Sequence, residues 1–215
     1  AIDRAAAKLA ALERAGGLCN AFGPQRFGHD GRNLDRGLAE LRRGRGGARG
    51  NMIVAAGQAA LFNLYLELRR ERGLLRRALV GDVLKRTDSG GLFTCSEPEH
   101  DDARLLAGEL VVTGPIFGSR TMSPPPGSDA AALEHDVLAI AGVDEDALLE
   151  LGRAALGTRR PLLVSLVDAN LSHAAVHPVH GDGMHIAVTL PAGSFATQLC
   201  AELQGRAPKA PVQPQ

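Results

Sequence analysis

The chain has 215 residues, 45% of them apolar, enough for one large domain or two small ones with a buried core, and a folded, soluble protein is expected. It contains no apolar run of about eighteen residues, which excludes a membrane-spanning helix, and no charged-then-apolar leader marks it for secretion, so a cytoplasmic location is expected. The net charge of zero hides a polarity: residues 1–86 carry 17 Lys+Arg against 8 Asp+Glu, and residues 87–215 carry 7 against 16.

Ala6, Leu9, Ala10 and Leu12 recur at helical spacing after Asp3, which predicts a short amphipathic helix capped by Asp3 and ended by Gly16-Gly17. Residues 18–32 are glycine-rich and read as irregular. A second helix follows, with Asn33 as its cap and its end near Gly44, and then a flexible basic connection, GRGGARG. Asn51 to Arg72 carries apolar residues at 53, 54, 61, 64, 65 and 68 and predicts a long helix at the centre of a helical domain. Gly81–Arg86 and Leu92–Cys95 read as a hairpin around Asp88-Ser89-Gly90-Gly91.

Glu97–Glu109 is expected to be helical in part. ELVVTGPIFG predicts a strand broken at Gly114-Pro115, and MSPPPGSD a loop, since successive prolines fix φ and remove donors. Helices fit residues 130–141 and 144–151. PLLVSLV and MHIAVTL, beyond Arg160, read as strands. The last helix is expected from Ser194, as its cap, to Leu203, and the tail GRAPKAPVQPQ lacks the apolar surface to order itself.

Nearly all the cations of the first part are arginines, whose planar forks suit phosphate oxygens and stack on bases. They cluster at Arg36, Arg42, Arg43, Arg45 and Arg49, and again at Arg69, Arg70, Arg72, Arg76 and Arg77. Solvated helix ends account for such runs; two clusters in one half also make the electrostatic footprint of a nucleic-acid binder. Cys19, Cys95 and Cys200 are scattered, without C-x-x-C spacing, and read as free thiols. His173, His177, His180 and His185 with Asp182 invite a metal reading, but Pro178, Gly181 and Gly183 break any helix that would align them, so no metal site is expected. The glycine-rich runs lack a Walker pattern. None of these features specifies an enzyme.

Two stretches remain. In NAFGPQRFGHDGRN (Asn20–Asn33), glycines permit tight turns, Arg26 offers a phosphate fork, and Phe22 and Phe27 spend two of the six phenylalanines of the chain on one loop. The rings either pin the loop to the core or face a ligand. In LPAGSFATQLCAEL, Phe195, Leu199 and Leu203 fall on one helical stripe, so Phe195 either joins the core or presents its ring at the helix start.

Together these stretches resemble the signature segments of the TruD family of pseudouridine synthases, which convert uridine thirteen of certain transfer RNAs to pseudouridine. The family pattern N-Y-F-G-x-Q-R-F-G is met by Asn20, Phe22, Gly23, Gln25, Arg26, Phe27 and Gly28, and its following Asn and Gly by Asn33 and Gly37. AAGQAALFN (Ala55–Asn63) resembles a family helix. Gly81 to Leu84, Thr113-Gly114-Pro115 with Gly118, Glu134, Arg159-Arg160-Pro161 and LPAGSFAT follow in the family order. Ala21 stands where the family has tyrosine and Cys19 where it has proline. The family segment G-x-K-D-x-x-A with the catalytic aspartate, and its K-G-N-x-F strand, have no counterpart.

The resemblance implies an α/β (α+β) protein: a partial catalytic-domain helix at residues 1–22, a mostly helical inserted domain with short strands at 23–160, the last strands and helix of a catalytic sheet domain at 161–204, and a tail at 205–215. It implies a cofactor-free, metal-free isomerisation of tRNA by a monomer, in which the N1–C1′ bond breaks, the uracil turns, and C5 rejoins C1′. Phe195 would pack against the extruded base, with Asn20, Phe22, Gln25, Arg26, Phe27 and Asn33 around the substrate and Arg42, Arg43, Arg45 and Arg49 on phosphates. The catalytic aspartate is expected upstream of Ala1, leaving this chain alone inactive. The alternative is a non-catalytic RNA-binding remnant, and a histidine-metal hydrolase is a third reading.

Overall fold

The structure is a computed structural model that describes residues 2–44, 51–177 and 181–205, without the side chains of residues 51, 175–177, 181 and 182. In chain order it forms α1 (Ile2–Arg14), β1 (Leu18–Cys19), α2 (Arg32–Arg43), α3 (Asn51–Glu71), β2 (Val83–Arg86), β3 (Leu92–Thr94), α4 (Pro98–Leu106), β4 (Leu110–Ile116), α5 (Asp129–Ala141), α6 (Glu145–Glu150), β5 (Thr158–Pro161), β6 (Leu163–Val164), β7 (Val167–His177), β8 (Gly181–Thr189) and α7 (Ala196–Gln204). Helices and strands mix as the α/β reading requires. Ala21–Leu162 form one compact unit, and the described residues before and after them form another.

The Ala21–Leu162 unit is organised on α3, which is buried nearly all round: Val54, Ala56, Ala59, Ala60, Leu61, Phe62 and Tyr65 have no exposure. Its small residues make this possible. A Cβ on Gly37 would stand 2.4 Å from Gly57 N, and one on Gly57 2.6 Å from Gly37 O, so α2 and α3 cross backbone to backbone. Beside α3 lies an antiparallel sheet in the order β3-β2-β4-β5. Ser128 caps α5 by accepting from Ala131 N at 3.2 Å, and Asp144 caps α6 by accepting from Asp146 N at 3.0 Å.

The expected break at Gly114-Pro115 does not occur, and β4 runs through to Ile116. Leu162 N donates to Val112 O, and an antiparallel ladder alternates, so Gly114 and Ile116 face β5 while Pro115 turns its nitrogen to the β2 side. Pairing with β2 has ended there at Val112, so the missing donor costs no ladder bond. Pro161 is tolerated because β5 is an edge strand.

In the other unit, β1 pairs with β6 and β7 with β8, all antiparallel. Ala5, Leu9, Leu18, Val164, Leu199 and Leu203 form its core, and Leu12, Leu171, Met184, Ile186 and Val188 pack against them half-buried. The period-two alternation of MHIAVTL thus faces one side of the hairpin toward α1 and α7. On α1 the buried stripe is Ala5 and Leu9 rather than Ala6 and Ala10, which are exposed.

Three expected caps are displaced. Asp3 and Asn33 lie inside the first turns of α1 and α2, where the Asp3 carboxylate still suits the helix dipole, and Gly31, at φ 70, precedes α2. Ser194 is the third. Its backbone N donates to Pro191 O at 3.1 Å, closing a turn with Gly193 at φ 85, a type II turn with glycine where φ must be positive. The N-cap of α7 is then Phe195, and the buried Ser194 Oγ has no hydrogen-bond partner.

Candidate nucleic-acid interface

The Asn20–Asn33 loop is held by α3. Phe22 N donates to Asn63 Oδ1 at 2.8 Å, and Asn63 Nδ2 returns a bond to Phe22 O at 2.9 Å. One side-chain amide thereby serves both backbone groups of Phe22, as a neighbouring strand would. The Phe22 ring meets Phe62 edge-on, with centroids 5.7 Å apart and planes at 86°. Two sequence motifs read separately, the glycine-rich loop and AAGQAALFN, therefore meet through Phe62-Asn63.

Pro24–Phe27 form a 3₁₀ turn. It buries Phe27 at 7% exposure and leaves Gln25 and Arg26 in solvent. Phe22 is 9% exposed. The two rings pin the loop, and the polar side chains are what it shows. Asn33 is half-buried, its amide 2.9 Å from where a Gly28 Cβ would stand. Asn20 is buried in the other unit.

The Arg26 guanidinium carbon lies 5.3 Å from the Phe22 centroid and that of Arg160 lies 4.2 Å from it, with Arg160 also 5.4 Å from Phe62. Burial, and then the Arg26 charge, lower the pKa of Arg160 to about 10. Sequence reasoning gave Arg160 no role in a site; the only available signal was the Arg-Arg-Pro motif.

The arginine clusters divide once partners are seen. Arg69 leaves the surface group: it is fully buried, with a two-pronged ion pair to Asp82 at 2.9 Å on each prong and bonds to Leu74 O and Arg77 O. Asp82 Oδ2 also accepts from Leu79 N at 2.7 Å. Arg70, Arg72 and Arg77 pair with Glu67, Asp136 and Asp102. Of the expected phosphate patch, Arg42 is exposed and its Nε donates to Ala141 O at 2.9 Å, while Arg43, also exposed, lies 3.2 Å from Glu40. Arg45 and Arg49 lie outside the described residues.

A second buried pair ties sheet to helix. Arg159 reaches Glu134 at 2.7 Å and also binds Thr113 Oγ1 and Thr113 O. Burial raises the Glu134 pKa against the opposing pull of Arg159. These motif residues hold the fold.

In the smaller unit the helical stripe splits. Leu199 and Leu203 are 1% and 3% exposed and belong to the core, whereas Phe195 is half-buried at the N-cap, outside that cluster. His173 and His185 are exposed on the hairpin. Among the described residues no three His, Cys, Asp or Glu gather as a metal site; His180 and the side chains of His177 and Asp182 lie outside them. No described helix is long and apolar enough to cross a membrane. Cys19, Cys95 and Cys200 form no disulfide among the described residues.

A family model described as tRNA pseudouridine synthase D (TruD) matches residues 49–203. The chain is 38% identical over 211 residues to a tRNA pseudouridine synthase D of Anaeromyxobacter sp., covering 94% of this chain and 58% of that protein. It is 37% identical over 199 residues to one from Pseudomonas aeruginosa, covering 90% and 54%. The chain thus spans little more than half the length of these relatives. A crystal structure of a tRNA pseudouridine synthase D (TruD) from Methanosarcina mazei shares the fold, with a TM-score of 0.66 at 19% identity over 89% of this chain and 62% of that one.

Proposed function

We propose a function from one premise: the chain belongs to the TruD family of tRNA pseudouridine synthases. The protein that contains it isomerises a uridine in tRNA to pseudouridine, uridine thirteen being the expected target. The N1–C1′ bond breaks, the uracil turns, C5 joins C1′, and the C5 proton is given up as N1 gains one. No cofactor takes part, and the protein works as a cytoplasmic monomer. Residues 23–160, within the Ala21–Leu162 unit, are the inserted domain of the family, and residues 1–22 and 161–204 belong to its catalytic domain.

A stacked base must leave the helix to react, at a cost of a few kcal/mol, and stacking on an aromatic side chain returns about 1 to 3 kcal/mol. Phe195 supplies that ring. The observation that carries this reading is the split stripe of α7: Leu199 and Leu203 satisfy the core, and Phe195 stands at the N-cap outside it. Gln25 and Arg26 face the RNA, with Phe22, Phe27 and Asn63 fixing their loop, and Asn20 and Asn33 shape its two ends. Arg42 and Arg43 contact phosphates. The catalytic aspartate comes from the length that the relatives have beyond this chain.

The test is single-turnover pseudouridine formation by the complete protein. Phe195→Ala is expected to slow it about tenfold to a hundredfold, the kinetic equivalent of the lost stacking, while tRNA affinity changes less than about threefold, because phosphate contacts dominate affinity. An unchanged rate contradicts the assignment. The 215-residue chain alone is expected to bind tRNA and form no product; product from it would place the catalytic group within the chain. Binding without product from the complete protein would identify a non-catalytic RNA binder.

A further inference from the structure

Within the Ala21–Leu162 unit a cavity of about 410 Å³ opens between the segment that follows β4, the proline-rich loop, α5 and α6, and a buried carboxylate lines it. We propose that this cavity takes the guanine base of an extruded tRNA nucleotide, with Glu134 Oε2 and lining hydroxyl oxygens accepting from its N1–H and N2–H₂ groups. The source of the base rests on the RNA reading above; the site rests on the structure.

Glu134 is 7% exposed. Its Oε1 accepts from Arg159 Nη1 at 2.7 Å, and among the described residues nothing donates to Oε2. The buried side-chain atoms that are sealed from solvent without a hydrogen bond are, among the described residues, Ser194 Oγ and Gln198 Oε1. Oε2 is therefore not sealed, and it opens on the cavity that Glu134 lines. A donor that reaches it there gains a charge-assisted bond.

The hydroxyls narrow the choice of ligand. A serine or threonine has one proton to give. Ser119 Oγ donates to Gly152 O at 2.9 Å and Thr121 Oγ1 to Ile116 O at 2.7 Å, so both have only lone pairs left for a ligand. Arg159 Nη1 also donates to Met122 O at 3.3 Å, and one nitrogen bonded to both brings the Thr121–Ser123 segment against Glu134. Ser123 and His135 line the cavity from exposed positions and can donate or accept.

A lining of acceptors selects a ligand with adjacent donors. Of the four bases, guanine alone has two neighbouring donors, N1–H and N2–H₂, on its Watson–Crick edge. Adenine and cytosine put a ring acceptor beside the amino group, and uracil flanks its one N–H with carbonyls. Phe117, Pro124, Leu138 and Leu148 supply buried apolar walls, and Leu149 lines the cavity although it is 56% exposed. The volume falls within the roughly 300 to 1,000 Å³ of small-ligand sites. Glu134 and Arg159 are neutral as a pair, and Glu145 is exposed, where solvent and salt screen it from the phosphate that accompanies the base.

Titration of the 215-residue chain with nucleoside 5′-monophosphates, followed by leucine methyl resonances in NMR, tests the site without RNA. GMP is expected to shift Leu138, Leu148 and Leu149 along one saturation curve and to bind about tenfold tighter than AMP, CMP or UMP, the difference that a hydrogen bond to a charged group makes. IMP, which keeps N1–H and lacks the N2 amino group, should fall between. Leu149→Glu, a change at an exposed position, should abolish the shift at Leu148, and Glu134→Gln should erase most of the preference for GMP. The comparison of GMP with IMP in the unsubstituted chain stands whether or not Glu134→Gln folds. In the complete protein, replacing the unpaired guanosines of the tRNA substrate by inosine one at a time is expected to lower kcat/KM for pseudouridine formation about tenfold at one position, and Leu149→Glu to remove that difference.

Selective GMP binding with one sensitive guanosine supports the proposal. Selective GMP binding with no sensitive guanosine overturns tRNA as the source and assigns the cavity to a free guanine nucleotide. A complete protein that forms no pseudouridine sinks the RNA reading, and selective GMP binding would still leave the site standing. An equal response to the four nucleotides, or no shift at the three leucines, overturns the site itself.

Discussion

The two units reach stability by different chemistry. The smaller one has a short apolar core of six buried residues, with a half-buried hairpin face packed on it. The Ala21–Leu162 unit surrounds a fully buried helix and places inside itself both ion pairs that are nearly or wholly removed from solvent among the described residues, Arg69–Asp82 and Arg159–Glu134. An apolar core tolerates repacking, whereas a buried ion pair depends on both partners and on the bonds that satisfy their remaining donors. The larger unit is therefore the more specific of the two in geometry, and it is the one that presents an arginine-decorated loop on a fixed platform.

The largest expected effect tests that dependence. Arg69→Ala leaves Asp82 buried without its cation, and loss of one partner from such a pair costs about 3 to 5 kcal/mol. Urea unfolding followed by residue-resolved amide exchange should show the loss throughout Ala21–Leu162 and leave α1 and α7 protected as before. Equal loss in both units would break the comparison.

Next comes Leu199→Ala in the apolar core, expected to cost about 2 to 4 kcal/mol through lost transfer energy and a residual cavity. Its effect should be confined to α1, α7 and the β7–β8 hairpin. Protection lost around α3 instead would show that the two cores are not separate.

The smallest effect sharpens the comparison by pH. Cys95 is 1% exposed in the larger unit, and burial with the nearby Asp101 pushes its thiol up to about 12. A folded-state pKa above the unfolded one means that the fold keeps the proton. That stability is fully present below the ordinary thiol value and is lost as pH rises from there towards 12. Urea midpoints should fall more steeply above pH 9 in the natural protein than in Cys95→Ala, and a thiol reagent should modify exposed Cys200 well before Cys95. Parallel pH profiles would remove Cys95 from the account.

The contrast also explains what the sequence made legible. Periodicity found α3, α5 and the strand β8, because apolar spacing is a local signal that burial then uses, but it missed β7, of which the run PLLVSLV holds only Val167. It failed where a distant partner decides. Arg69 reads as one more cation in RRERGLLRR, since nothing local says that Asp82 waits thirteen residues on. Pro115 reads as a break, because the end of β2 that frees its nitrogen is a fact of register. Ser194 reads as a cap, until the turn from Pro191 claims its backbone and hands the position to Phe195.

The candidate site divides in the same way. The Phe195, Leu199 and Leu203 spacing was visible, but only packing separates the ring from the two leucines. Phe22 and Phe27 stood out as a costly use of aromatics in one loop; their burial, and the Asn63 clamp on the Phe22 backbone, required the structure. Arg160 carried only the Arg-Arg-Pro motif as a signal, and its partner ring lies more than a hundred residues earlier.

The ring of Phe195 is the centre of the functional account, and a crystal structure of the complete protein with a tRNA substrate measures its position directly. The account predicts the phenyl ring in stacking contact with the extruded uracil while Leu199 and Leu203 remain buried. A ring folded onto those leucines, with the nucleobase held elsewhere, would contradict it.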